Sequence, residues 1–113
     1  MSENAIRSFT FTPSDGVPPA VAPFAHATAA GPTLYVTGQM PTDVTGALVG
    51  GGVADVVQAR AYLTEWDDYA DFNAAYARWF PERLPSRTCV GTTGLAAGAR
   101  VEVDLVAWRS GGW

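Results

Sequence analysis

The amino-acid sequence predicts an α+β fold, a mainly antiparallel sheet packed by helix on one face, and three observations carry that reading. Several short segments alternate apolar and polar residues with the period of two that half-buried strands require. One longer segment, about residues 68–80, spaces its aromatic residues at helical intervals instead. Between these segments, 12 glycines and 8 prolines in 113 residues mark frequent turns.

The elements follow in order. Ser8-Phe9-Thr10-Phe11-Thr12 alternates phenylalanine with polar residues and reads as a short strand. The proline-rich stretch 13–23 has no periodicity, and residues 1–21 are expected to be a flexible N-terminal segment of one domain spanning 1–113. Segments 24–30 and 34–38 flank Gly31-Pro32-Thr33, a hairpin signal. Gly46-Ala47-Leu48-Val49 is a candidate edge strand before a run of three glycines. Residues 56–64 form a strand candidate, with Val57, Ala59, Ala61 and Leu63 on one face and Val56, Gln58, Arg60 and Tyr62 on the other. The face of small residues suits the underside of a helix. In that helix Tyr69, Phe72, Tyr76, Trp79 and Phe80 form one stripe, Asp67 or Asp68 is the candidate N-cap, and Pro81 blocks further turns. Segments 86–92 and 99–108 are closing strands around Gly94-Leu95-Ala96-Ala97-Gly98.

A chain of this length supports a single core that buries roughly 60 to 70% of the unfolded surface. All seven cations are arginine and the net charge is −4, so the basic stripe that drives nucleic-acid binding is missing. One cysteine demands no oxidising compartment. The opening residues do not resemble a signal peptide, and no apolar run approaches the roughly 20 residues that cross a bilayer. A cytoplasmic protein without a membrane partner is the expectation.

The residues with chemical potential lie near the end of the chain. Arg87 and Cys89 stand two apart on a strand, share one face, and are able to line one small anionic pocket. Glu102 follows thirteen residues after Cys89. Each also has a plain structural reading: Arg87 as a surface cation, Cys89 as a small buried hydrophobe, and Glu102 as the partner of Arg100 or Arg60 on a solvated strand face. His26, the single histidine, has no second metal ligand at useful spacing and reads as a structural or rim residue. The aromatic stripe of the helix reads as core.

Taken in order, several blocks resemble the RidA/YjgF family, the reactive-intermediate imine deaminases. They are Phe24-Ala25-His26-Ala27, Leu34-Tyr35-Val36-Thr37-Gly38-Gln39-Met40-Pro41, Thr45-Gly46-Ala47-Leu48-Val49-Gly50-Gly51, Ala61-Tyr62-Leu63-Thr64 with Asp71-Phe72-Asn73-Ala74-Ala75-Tyr76, Pro85-Ser86-Arg87-Thr88-Cys89-Val90 and Val101-Glu102-Val103. The resemblance covers about residues 22–109. It implies a chorismate-mutase-like homotrimer with clefts at its subunit interfaces, a small-molecule carboxylate substrate, and no metal or organic cofactor. It also implies that Arg87 grips the substrate carboxylate, as a planar guanidinium does with two parallel N–H donors. Glu102 would position the attacking water, Cys89 would line the pocket, and Phe24, Thr37, Gly38 and Asn73 would add binding contacts. The implied reaction is hydrolysis of a 2-imino acid to a 2-keto acid and ammonia. A related hydrolase or tautomerase of a specialised pathway, or a non-catalytic trimer that binds keto acids, are the alternatives. Ribonuclease activity is disfavoured by the acidic charge and the lack of a histidine pair.

Three departures from the family pattern bear on that reading. Ala22-Pro23-Phe24-Ala25 stands where such deaminases usually carry Gly-Pro-Tyr-Ser, so a tyrosine hydroxyl and a serine are absent. Gly91 replaces the usual acidic residue two beyond the cysteine. A family helix of about six turns is missing between Val53 and Ala54. Only about six residues then separate Val49 from Val56, fewer than a parallel crossover needs. That shortness leads to the expectation of a rearranged sheet, or of further residues between Val53 and Ala54, and of apolar residues left bare on one sheet face.

Overall fold

The computed structural model describes residues 6–9, 25, 27–39 and 55–113. Its elements are β1 (Ile6–Phe9), β2 (Ala27–Ala30), β3 (Thr33–Gln39), β4 (Val56–Leu63), α1 (Tyr69–Trp79), β5 (Ser86–Gly91) and β6 (Val101–Trp108), with 3₁₀ turns at Trp66–Asp68 and Ala96–Gly98. The strands form one sheet in the order β1-β2-β3-β6-β4-β5. Every junction is antiparallel except β4–β5, whose strands are parallel because α1 carries the chain back between them. The expected α+β architecture is therefore present.

The β2–β3 hairpin turns through Gly31 and Pro32, and Gly31 takes φ 58°, a conformation that glycine adopts without a Cβ penalty. The short N-terminal strand expected at 8–12 is present as β1 from Ile6 to Phe9, pairing with β2 from Ile6↔Ala30 to Phe9↔Ala27, and residues 10–12 lie outside the described residues. On β4, Ala59, Ala61 and Leu63 are buried as the alternation predicts. The first residues depart from it. A register shift between Val56 and Gln58 turns Val56 into the core and leaves Val57 44% exposed.

Ala59 and Ala61 form a shallow floor for α1, whose Phe72 and Tyr76 are buried together with the following Phe80. Burying each such ring contributes about 1.5–3 kcal/mol. Asp68 precedes the helix, but its side chain does not cap it. Its carboxylate instead takes two hydrogen bonds from Arg100, at 2.8 and 3.0 Å, tying the helix entry to the start of β6.

The short link between Val49 and Val56 does not force a rearranged sheet. β3 and β4 flank β6 and run parallel, so the crossover is made by residues 40–55. Sixteen residues reach about 50 Å when extended, twice the roughly 26 Å rise of an eight-residue strand. A link of that length can span the return without a helix. On the helix side the sheet is not bare beyond β6, where Ala27, Ala29, Leu34 and Val36 are only 1–5% exposed, whereas Tyr35, Val90 and Trp108 are exposed on the opposite face. The expected strand at 46–49 and the Val53–Ala54 junction lie outside the described residues.

Candidate functional site

On β5, Arg87 pairs with Ala59 and Cys89 with Ala61, so both side chains face α1, as their spacing predicts. The Arg87 guanidinium carbon lies 4.9 Å from the Tyr76 ring centre, 5.5 Å from Phe72 and 5.8 Å from Tyr69, and Nη2 donates to the Tyr69 hydroxyl at 3.2 Å. Three aromatic faces thus fix the cation. Arg60, Arg100 and Arg109 each hold an aspartate at 2.8–3.0 Å, whereas Arg87 meets no carboxylate among the described residues. It is an oriented cation with its charge open to an anion.

Polar atoms accompany it on the helix. Asn73 Oδ1 and the Tyr76 hydroxyl are buried on α1 without a hydrogen-bond partner among the described residues. Burial pushes the Cys89 thiol above its usual range, with Arg87 pulling weakly the other way. A half-buried, protonated thiol suits a pocket wall rather than a nucleophile.

Glu102 belongs to a different surface. It pairs with Tyr62 across β4–β6, and its carboxylate lies over the backbone of Gly38 on β3, where a Cβ would come within 3.0 Å of three of its atoms. The local sheet makes room for it. Between Val36↔Leu105 and Gln39↔Val103, Thr37 and Gly38 together oppose Asp104, a bulge that bends β3 beneath Glu102. The Thr37 hydroxyl donates to the Ala25 carbonyl and pins the bulge to the end of the preceding segment. Neither cation proposed as a plain partner for Glu102 takes that role: Arg60 binds Asp104, which also accepts from the Tyr62 hydroxyl, and Arg100 binds Asp68. Among the described residues Glu102 has no ion-pair partner.

The sequence-selected residues therefore fall into two groups. Arg87, Cys89 and Asn73 gather with the aromatic rings on the helix side, and Glu102 gathers with Thr37 and Gly38 on the other. The partners of Arg87 and Glu102 on β4, Ala59 and Tyr62, are three residues apart and on opposite faces, roughly 10 Å along the strand. Phe24 and His26 lie outside the described residues. The helical spacing identified Tyr69, Phe72 and Tyr76 as core but not as the walls around Arg87. Trp66, which packs on Gly91, was not singled out either, although it stands three before Tyr69 and continues the stripe.

Residues 47–109 match the family model described as Endoribonuclease L-PSP. The chain is 31% identical to the 3-aminoacrylate deaminase RutC of Acinetobacter baylyi, over 82% of this chain and 92% of that one. It is 28% identical to the 2-iminobutanoate/2-iminopropanoate deaminase of Bos taurus, over 80% and 82%. Its fold superposes on RidA of an Antarctic Psychrobacter with a TM-score of 0.77, 24% identity and coverage of 91% and 100%. The TM-score to Escherichia coli TdcF, solved with bound serine, is 0.78 at 21% identity, over 92% and 100%. This chain belongs to the RidA/YjgF family of α+β proteins.

Proposed function

We propose that this protein hydrolyses reactive 2-imino or enamine acids to 2-keto acids and ammonia, at sites shared between copies of a homotrimer. One observation carries the reading: Arg87 is held by three aromatic rings and meets no carboxylate among the described residues. A cation fixed in this way binds the carboxylate of a small substrate and orients the adjacent C=N bond. Glu102 then accepts a proton from water as the oxygen attacks the imine carbon. The resulting carbinolamine collapses, its nitrogen leaves as ammonia, and the C=O bond of the keto acid forms. The chemistry asks for no metal or organic cofactor.

Because Arg87 and Glu102 occupy opposite faces of one sheet, a site that uses both takes each from a different copy. That requirement supports the homotrimer with interface sites. The deaminase names of two relatives support the reaction class. The family description as an endoribonuclease finds no support in a chain of net charge −4 with one histidine.

The test is the decay of freshly generated 2-imino acids, with ammonia release measured alongside. Wild-type protein should accelerate it. Losing a charged hydrogen-bond partner costs about 1.5–3 kcal/mol, so Arg87→Ala should lower kcat/KM roughly 10- to 200-fold. No acceleration by folded wild-type protein on any imine would overturn the deaminase reading in favour of a keto-acid-binding protein.

A further inference from the structure

We propose that Trp66 sets the side-chain preference of the Arg87 half-site, favouring 2-imino acids with a bulky apolar or aromatic side chain over the alanine-derived one. The inference rests on the deaminase reading and deepens it. Trp66 sits in the 3₁₀ turn between β4 and α1 and is 55% exposed, and Tyr69 beside it is 38% exposed. Their rings meet edge to face, with centres 5.2 Å apart and planes at 64°. Two large aromatics left in water together, beside an arginine that meets no carboxylate among the described residues, form a surface that a ligand would cover.

The indole is held in place by an absent side chain. A Cβ at Gly91 would lie 2.7 Å from Trp66 Nε1 and 3.4 Å from Cε2, so Trp66 occupies the space that any other residue at 91 would fill. Gly91 pairs with buried Leu63 and follows Arg87 and Cys89 at the same alternation, which puts the indole on their side of the sheet. Where the family usually carries an acid, this half-site presents a neutral aromatic wall.

The distances admit a ligand that spans both groups. Tyr69 touches both groups: its ring centre is 5.2 Å from that of Trp66 and 5.8 Å from the Arg87 guanidinium carbon. The indole centre and the guanidinium carbon are therefore no more than about 11 Å apart. A carboxylate paired with a guanidinium puts its carbon about 4 Å from the guanidinium carbon. A benzyl side chain carries its ring centre about 5 Å beyond that carboxylate carbon, and ring centres in contact lie about 4.5–7 Å apart. The benzyl group thus reaches Trp66 while its carboxylate stays on Arg87. A methyl group ends about 2.5 Å beyond the carboxylate carbon and has far less apolar surface to lay on the indole than a benzyl group.

The experiment compares kcat/KM for imines generated from L-phenylalanine, L-leucine and L-alanine, using wild type, Trp66→Ala and Gly91→Ala. Wild type should prefer the phenylalanine- and leucine-derived imines. That preference should drop at least tenfold in Trp66→Ala and in Gly91→Ala, the second of which displaces the indole without removing it. An unchanged ratio, or an equal loss on all three imines, would overturn the assignment by reducing Trp66 to a structural role. If wild type accelerates none of them, the deaminase reading has failed, and calorimetry with phenylpyruvate and pyruvate decides the inference separately. Tighter phenylpyruvate binding that is lost in Trp66→Ala supports it; equal affinities overturn it.

Discussion

Gly38→Ala probes the Glu102 half-site without touching a polar group. The added Cβ would stand 2.2 Å from Glu102 Oε2 and 2.8 Å from Cδ, where ordinary contact begins at 3.4 Å. The carboxylate must therefore retreat by about 1.2 Å or rotate away. Misplacing a reacting group by about 1 Å costs on the order of 10²-fold in rate. Glu102 is half-buried and able to move toward solvent, so the fold should tolerate the change: the melting temperature should stay within a few degrees of wild type. The assay is steady-state turnover of a 2-imino acid with kcat and KM resolved, alongside thermal unfolding. Gly38→Ala should lower kcat about 10²-fold with a much smaller change in KM, since Arg87 is on the other face. The combination with Glu102→Gln should be no worse than Glu102→Gln alone, because both changes act on one carboxylate. Turnover within twofold of wild type in a folded Gly38→Ala protein, or losses that multiply in the double variant, would refute the placement of the reacting carboxylate over Gly38.

Arg87→Lys keeps the charge but loses the planar fork and its packing on the rings, so KM should rise about tenfold or more while kcat changes less; a wild-type KM would refute the anchor role. Cys89 should react with iodoacetamide more slowly than a free thiol at pH 7, and Cys89→Ala should retain most turnover; fast labelling at neutral pH would contradict a thiol raised by burial. Burial likewise raises Tyr76 and Tyr62, the latter also through its hydrogen bond to Asp104. In all three groups the fold favours the neutral form. Their contribution is complete below the unfolded values, about 9 for the thiol and 10 for the phenols, and is lost as pH rises through the higher folded values. Melting temperature should hold from pH 7 to about 9 and fall above, less steeply in Tyr76→Phe.

Much of the fold was legible because its signals are local. The two-residue alternation marked β2, β3, β5 and β6, the aromatic spacing marked α1, and Gly31-Pro32 marked the hairpin. What escaped depends on contacts distant in sequence. The register shift at Val56 arises from pairing with β6, and no property of residues 56–58 announces it. Asp68 was legible as the residue before the helix, but not as the partner of Arg100 thirty-two residues on. The reach required of the short crossover depends on which strands flank β6, which the alternation pattern does not encode. At the site, period-two spacing put Arg87 and Cys89 on one face correctly. The separation of Glu102 from them follows from strand order and register, which only the assembled sheet reveals.

The most direct test of two half-sites in one chain is complementation between inactive variants. Arg87→Ala and Glu102→Gln proteins are prepared separately, then unfolded and refolded together at equal concentration. In randomly assorted trimers whose sites take Arg87 from one copy and Glu102 from its neighbour, about one site in four regains both residues. The mixture should recover roughly a quarter of wild-type turnover, while each variant refolded alone remains at its own low level. Turnover of the mixture equal to the mean of the two variants would contradict the account and place Arg87 and Glu102 within a single chain's site.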